Sequence, residues 1–378
     1  MRKNNSWIDP SIFIKHIHVA EEIAELDYTK EILERAKLPT TIVPQGQSPS
    51  GFKGTCSSLF ALGKQHLFLC QNKGSFFKPC PGTTEYRCCG YHVLNIGMNC
   101  PIDCVYCILQ AYLNQPWISA FVNLDTLFSE IRASLRDAPE MFFRIGTGEF
   151  TDSLALERIT GISKKLVTFI ASLKNVTLEL KTKSGSIENL ANIDHQGKTL
   201  LSWSLNSPAI MKKEEIRSAT LMERLGAAQR AAQWGYGLGF HFDPIIYHPN
   251  WRQGYAETID ILFRKVPREA IVWISLGALR YLPSLKTIST ERFTHSSIFY
   301  QEFITGLDGK YRYFRTLREE MYCYIYKLLC ERVAEDTCIY FCMESDEMWQ
   351  NVCGYLPESK GGISSMLNTA AMKFTEKY

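Results

Sequence analysis

The 378-residue sequence predicts an α/β fold built on a partial (β/α)6 barrel, with extensions at both ends. Two observations lead there. Between about Tyr91 and Leu285, short apolar runs alternate with amphipathic stretches, and six of the runs read as strands. Alternating βα units imply parallel strands, and six fit a partial barrel better than a full one. In addition, a dense thiol motif falls just after the first of these runs, at the strand end where α/β barrels carry their chemistry.

The elements follow in order. Residues 1–90 read as a mixed helix and loop region containing cysteines, with one helical stretch around Ala20–Ala36. A looser stretch, punctuated by Gly and Pro, runs from Gln45 to about Gly90. His92–Ile96 is the first predicted strand, Leu124–Leu135 a helix and Met141–Ile145 the second strand. Ile159, Ile162, Leu166, Phe169 and Leu173 recur at steps of three and four, which places them on one helix face. Val176–Lys181 and Leu200–Leu205 are strands three and four, and Leu221–Gln233 is a helix. Gly239–Ile246 and Ile271–Leu276 complete the six. After about Leu285 the alternation stops. A long helix over Thr316–Ala334, a short strand at Cys338–Cys342 and two helical pieces are expected there. The predicted division is therefore an N-terminal region 1–90, a barrel 91–285 and a C-terminal helical, substrate-contacting region 286–378.

Composition narrows the class. Apolar residues at 46% and charged residues at 21% are ordinary for a globular protein and argue against disorder. A net charge of +3 does not by itself imply a nucleic-acid or membrane partner. No stretch approaches the roughly 18 consecutive apolar residues of a spanning helix. The opening MRKNNSWIDPSIF has no apolar run behind its basic residues, so an export signal is not expected. The 13 cysteines then read as cytosolic thiols and metal ligands rather than disulfides, and the expected location is cytoplasmic.

The strongest motif is Asn99–Cys100–Pro101–Ile102–Asp103–Cys104–Val105–Tyr106–Cys107. Three thiolates at this spacing bind three corners of a cubane cluster and leave one iron free for a small molecule. The alternative is a zinc site, which needs four ligands and would borrow Cys88 or Cys89.

The motif, in this place, resembles the radical S-adenosylmethionine (SAM) superfamily. The resemblance implies a [4Fe–4S] cluster on Cys100, Cys104 and Cys107, SAM chelated at the open iron, and a radical SAM form of the barrel. It also implies an external reductant such as a flavodoxin or ferredoxin, and a 5′-deoxyadenosyl radical that takes hydrogen from a substrate. Tyr106 takes the place of the aromatic that packs on adenine. Arg144–Ile145–Gly146–Thr147–Gly148–Glu149, at the end of strand two, resembles the superfamily's glycine-glycine-glutamate motif. Glycines let backbone approach a ligand and a carboxylate accepts from an ammonium, so Gly146, Gly148 and Glu149 are assigned to SAM. Lys183, Ser204 and Asn206, at the ends of strands three and four, are candidates for its carboxylate and ribose.

Within the superfamily the chain resembles the spore photoproduct lyases. The matching pieces run in order from His92 to about Arg280. They are the Cys loop with Leu109–Gln110, Asp152, Thr182–Lys183, His195–Thr199, Ser204–Asn206 and Gly235–Phe240, then Pro244–His248, Trp251, Gly254–Tyr255 and Arg280. Those lyases split a thymine dimer and return a hydrogen through a cysteine and neighbouring tyrosines. Here the donor cysteine's place is taken by Glu149, or by Gly148 or Phe150 at an offset of one. Ile108 stands for the second tyrosine. Cys323 and Cys342 are the thiols left as candidates to approach in space. Glu149, Tyr106 and His248 are the catalytic candidates, with Trp251 beside His248 in the loop after strand five.

Two features lie outside the barrel motifs. Cys80, Cys88 and Cys89 form loops just before strand one and are candidates for a second metal site, a redox pair or packing. Lys310, Arg312, Arg315 and Arg318 interleave with Tyr311, Tyr313 and Phe314, a pattern that fits phosphates and extruded bases or, equally, the basic start of a packed helix. Lys64, His66, Lys73 and Lys78 add basic character upstream. Three readings result: a radical enzyme acting on nucleic acid, the same chemistry on a peptide or small molecule, or a zinc-stabilised nucleic-acid-binding module without catalysis.

Overall fold

A buried carboxylate reports the curvature of the main sheet. In the computed structural model, which describes residues 7–82 and 85–378, Glu179 Oε1 accepts hydrogen bonds from three strands in turn. Arg2, Lys3 and Thr83 lie outside the described residues. The donors to Glu179 are Ser202 Oγ at 2.5 Å, His241 Nε2 at 2.8 Å and Trp273 Nε1 at 2.9 Å. Flat strands three places apart would lie about 14 Å from one another, beyond the reach of these side chains. The sheet therefore curls around Glu179 as a half-barrel.

Its parallel strands are β1 (His92–Leu94), β2 (Phe143–Gly146), β3 (Val176–Thr182), β4 (Thr199–Ser204), β5 (Gly237–Ile245), β6 (Ile271–Ala278) and β7 (Cys338–Phe341), in that spatial order. The six predicted barrel strands are all present, and the short C-terminal strand joins them as β7. Phe77–Pro79 adds an antiparallel edge beside β1. Strand residues alternate between faces. Phe143, Ile145, Leu178, Leu180, Leu201, Trp203, Leu238, Phe240, Ile274 and Leu276 form a buried apolar face. The alternate positions carry Arg144, Glu179, Lys181, Ser202, Ser204, His241, Asp243 and Ser275. A fully covered parallel sheet is normally apolar on both faces. The polar row here lies on the concave side.

Helices α1 (Leu124–Asp137), α2 (Ile162–Ala171), α3 (Leu221–Gln233) and α4 (Trp251–Lys265) follow the strands. A capping box between Thr220 and Glu223 starts α3. The α4 helix corrects the expected loop at Trp251: Asn250 adopts a left-handed φ of 61°, and Trp251, Tyr255, Thr258, Ile259 and Leu262 then face the core. Beyond β6 come α5 (Pro283–Arg292), a hairpin of Phe303–Thr305 and Tyr311–Tyr313, α6 (Arg315–Cys330), α7 (Asp346–Cys353) and α8 (Gly362–Glu376). The α8 helix closes the N-terminal strand ends. Arg144 Nε donates to Asn368 Oδ1 at 2.7 Å, and Thr375 Oγ1 donates to the Gly197 carbonyl at 3.2 Å. Among the described residues no helix is long and apolar enough to cross a membrane.

The N-terminal region differs from the expected helix and loop. Thr40–Val43, His16–Ala20, His66–Cys70, Ile118–Phe121 and Gly97–Met98 form a second sheet in that order. It takes strands from both sides of residue 90. The expected helix at Ala20–Ala36 is a strand ending at Ala20, a short turn and a helix over Asp27–Ala36. The expected loose stretch contains helix Cys56–Gly63 and strand His66–Cys70. These strands are only two to five residues long, and histidines interrupt the apolar pattern of two of them, so periodicity does not reveal them.

Helix Cys56–Gly63 packs onto Pro116 with no room to spare. A Cβ on Gly63 would fall 2.2 Å from the Pro116 carbonyl carbon and oxygen. Gly63→Ala is expected to destabilise the fold by about 1–3 kcal/mol. Thermal unfolding measures this, and an unchanged midpoint would mean that the helix moves away freely.

Candidate active site

The cysteine loop is irregular and buried, so its backbone groups need partners from elsewhere. Asn99 opens it with a left-handed φ of 66°, a conformation Asn tolerates. Its Oδ1 accepts from the Cys100 N–H at 2.9 Å. The Asn99 N–H donates to the Phe150 carbonyl at 2.8 Å, and Thr151 Oγ1 donates to the Asn99 carbonyl at 2.7 Å. The turn after β2 is thereby tied directly to the cysteine loop. Asp103–Cys104 pairs antiparallel with Glu215–Ile216.

Cations and amides hold the loop's outer side. The Lys64 ammonium donates to the Cys100 carbonyl at 2.9 Å and the Ile102 carbonyl at 2.6 Å, and lies 3.4 Å from Asp103 Oδ1. Arg292, on α5, pairs with Asp103 at 2.9 Å and donates to Gln110 Oε1. Gln110 Nε2 donates to the Cys104 and Val105 carbonyls at 3.1 and 3.2 Å. Burial alone would raise the Asp103 carboxyl, but Lys64 and Arg292 outweigh it and hold the group below the usual carboxylate range. Lys64, read from sequence as part of a basic surface, is only 1% exposed.

Cys100, Cys104 and Cys107 are free thiols, the first two buried. Burial pushes Cys100 up to about 12, against the pull of Lys64. Burial also raises Cys104, opposed by Lys183. Thiols in such a place become thiolates when a metal takes them. Among the described residues, no group of three or more His, Cys, Asp or Glu is arranged around a single metal ion. A cubane can take three thiolates on three of its irons, whereas a structural zinc takes four ligands on one ion, so a set of three cysteines fits the cluster. Cys80, Cys88 and Cys89 form no single-ion site either. Cys88 is exposed, and its thiol hydrogen-bonds with that of Cys89.

The SAM candidates fall into two groups. Tyr106 is buried, and its hydroxyl donates to Glu215 Oε1. Lys183 Nζ lies 5.7 Å from the Tyr106 ring centroid. Tyr91 OH fills the space a Gly146 side chain would occupy, and a Cβ on Gly148 would come within 3.0 Å of Lys181 Cβ. Glu149 is exposed, and its charge reaches Lys181, Tyr91, Cys80 and Cys342. Asp152 binds Thr182 Oγ1 at 2.6 Å and the Lys183 N–H at 2.7 Å, joining the ends of β2 and β3. In the other group, Ser204 is buried and its carbonyl accepts from Arg224 at 2.7 Å. Asn206 is also committed internally, to the Pro244 carbonyl, Tyr255 OH and the Ser207 N–H. His248 Nε2 lies 2.7 Å from Ser207 Oγ, in the joint between β5 and α4, and Trp251 is packed in the core.

Much of the basic segment is paired with carboxylates of the same chain. Arg312 is 2% exposed and bonds Asp308 at 2.8 Å. Arg318 is 6% exposed and sits 3.4 Å from Glu344. Lys310 pairs with Asp308 at 3.0 Å, and the exposed Arg315 pairs with Glu347. On the concave side, Arg280 makes a bidentate pair with Asp243, both contacts at 3.1 Å, and its Nη2 lies 3.4 Å from Cys342 Sγ. Cys323 is exposed on α6.

Sequence reasoning missed Glu215 and Arg224. Arg224 is fully buried and joins Glu215, Ser218 Oγ and the Ala219 and Ser204 carbonyls. A buried Arg in a run as polar as Met222–Glu223–Arg224 carries no local signal. Glu215→Ala should cost about 3–5 kcal/mol by leaving Arg224 uncompensated. Adding Arg224→Leu should recover most of that loss. Urea unfolding of the single and double variants measures both, and additive losses would refute the pairing.

Comparison with known proteins gives the family. A spore photoproduct lyase of a Geobacillus species is 26% identical over 249 residues, 65% of this chain and 71% of that protein. The Bacillus subtilis spore photoproduct lyase is 25% identical over 179 residues, 47% of this chain and 52% of that protein. A solved spore photoproduct lyase complexed with dinucleoside spore photoproduct superposes with a TM-score of 0.76 at 21% identity, covering 87% of this chain and 98% of that one. The family model for spore photoproduct lyase matches residues 63–340, which takes in the cysteine loop, every barrel strand to β7 and the clamp on Asp103. On that extent of match, the chain belongs to the spore photoproduct lyase family of radical SAM enzymes.

Proposed function

We propose that Cys100, Cys104 and Cys107 hold a [4Fe–4S] cluster, and that the chain uses SAM bound there to start radical chemistry on a nucleic-acid lesion. The observation that carries the reading is the tie between Asn99 and Phe150–Thr151, which sets the three thiols beside the Gly146–Glu149 turn. With SAM bound and an electron from a flavodoxin or ferredoxin, the cluster supplies the 5′-deoxyadenosyl radical. The residues of the chain do the rest. Glu149 and the backbone at Gly146 and Gly148 accept the SAM ammonium. Lys183 meets its carboxylate, and Tyr106, fixed by Glu215, backs the adenine. Asn206, whose amide is already committed, acts by shaping the strand end rather than by touching SAM. His248 has the same supporting place beside Ser207.

The substrate assignment rests on the family and on the dinucleoside lesion held by the solved relative. The concave face offers Arg280, Asp243 and Lys181 as polar contacts. Return of hydrogen differs from the family pattern, since Glu149 and Ile108 replace a thiol and a phenol. One observation favours a second substrate class, a peptide or small molecule: the cations at Lys310, Arg312 and Arg318 are paired internally. The zinc-stabilised binding module would need a fourth ligand beyond Cys100, Cys104 and Cys107. Cys80 and Cys89 read as partly buried thiols, with the exposed Cys88 thiol beside that of Cys89.

The test is anaerobic reconstitution with iron and sulfide, reduction, addition of SAM and chromatography for 5′-deoxyadenosine. Wild type should produce it and Cys104→Ala should fall to background; product from the variant would refute the cluster assignment. With dinucleoside spore photoproduct added, repair to thymine should be slow or incomplete, because no thiol follows β2. Clean repair would show that another group returns the hydrogen.

A further inference from the structure

Lys64 lies outside every motif that points to the site, yet its ammonium is buried against the cysteine loop. Its three neighbours are oxygens: the Cys100 carbonyl at 2.9 Å, the Ile102 carbonyl at 2.6 Å and Asp103 Oδ1 at 3.4 Å. An ammonium has three N–H donors and no acceptor, which matches this set; a neutral amine would turn a lone pair toward oxygen. The Ile102 carbonyl is shared. Cys100 Sγ lies 3.5 Å from the same oxygen, so the cation and the sulfur are separated by one atom. Arg292 is the second cation here. Its side chain is 3% exposed and pairs with Asp103 at 2.9 Å. Two buried positive charges therefore contact one carboxylate, and Arg217, whose Nη1 lies 3.5 Å from the Pro101 carbonyl, adds a third cation to the same turn, so the outer side of the loop carries a net positive charge. Water is too scarce there to screen it.

We propose that Lys64, together with Arg292, is the counter-charge of the iron–sulfur cluster, positioning the Cys100–Asp103 turn and raising the cluster's reduction potential. The inference rests on the cluster assignment above. Reduction adds a negative charge to the cluster, and a buried cation beside a ligand favours that state, since net charge, hydrogen bonding and solvent exposure set such potentials. Neither side chain touches SAM or substrate on this account. Both are positioning residues whose effect is read in the metal, not in turnover.

Sign separates electrostatics from packing. Wild type, Lys64→Met, Arg292→Met and Asp103→Asn would be reconstituted anaerobically to equal iron content and titrated through reduction, with the reduced cluster followed by electron paramagnetic resonance. Lys64→Met and Arg292→Met should shift the midpoint to lower potential. Asp103→Asn, which removes the anion and leaves both cations, should shift it higher. Lys64→Arg should keep the wild-type value. Should a cation-deleting variant fail to fold, Asp103→Asn alone still decides, because an unmoved or lowered midpoint overturns the proposal. Shifts of one sign in all variants also overturn it, since they would reflect a loosened loop. Wild-type protein that takes up no redox-active cluster would instead overturn the assignment of Cys100, Cys104 and Cys107 on which it rests.

Discussion

An irregular loop taken out of water must find a partner for each backbone polar group, and the Asn99–Cys107 loop is held by that requirement. Its carbonyls are met by Lys64 from the N-terminal region, Gln110 from the loop's own continuation and Ser289 from α5, the last donating to Val105 at 2.7 Å. Its amides reach Phe150 after β2 and Glu214 before the Glu215 strand. The loop is thus the point where segments far apart in sequence converge. Their arrangement around the barrel mouth follows from its hydrogen-bond needs.

The half-barrel was readable because six apolar runs with helices between them leave few alternatives, and the alternation along β3 to β6 even separates polar from apolar faces. The C-terminal strand at Cys338 could be seen as a strand but not placed, since pairing with β6 is a long-range fact. The N-terminal sheet was not legible. His16, His18 and His66 break runs only five residues long, and two of its strands come from after residue 90. The α4 helix had a usable signal in Trp251, Tyr255, Thr258, Ile259 and Leu262, masked by the Pro249–Asn250 turn before it.

The site divides in the same way. Cysteines, glycines and an acid at fixed spacing are visible in a sequence because local backbone geometry demands them. Charge partners are not. Lys64 with Asp103, Arg224 with Glu215 and Arg280 with Asp243 join residues tens of positions apart or packed by tertiary contacts, and each Lys or Arg looks like a surface residue in its own neighbourhood. The basic segment shows the same thing from the other side. A row of cations with aromatics between them looks like a docking strip, whereas Asp308, Glu344 and Glu347 already occupy it.

That occupation bears on how a polyanion would be held. Association driven by phosphate neutralisation draws its strength from released counterions and weakens steeply as ionic strength rises. Cations already neutralised by carboxylates of the same chain hold few counterions to release. A strand of nucleic acid meeting this face would gain little from mass action of salt, and its grip would depend on shape and on stacking against Phe314, which is 44% exposed.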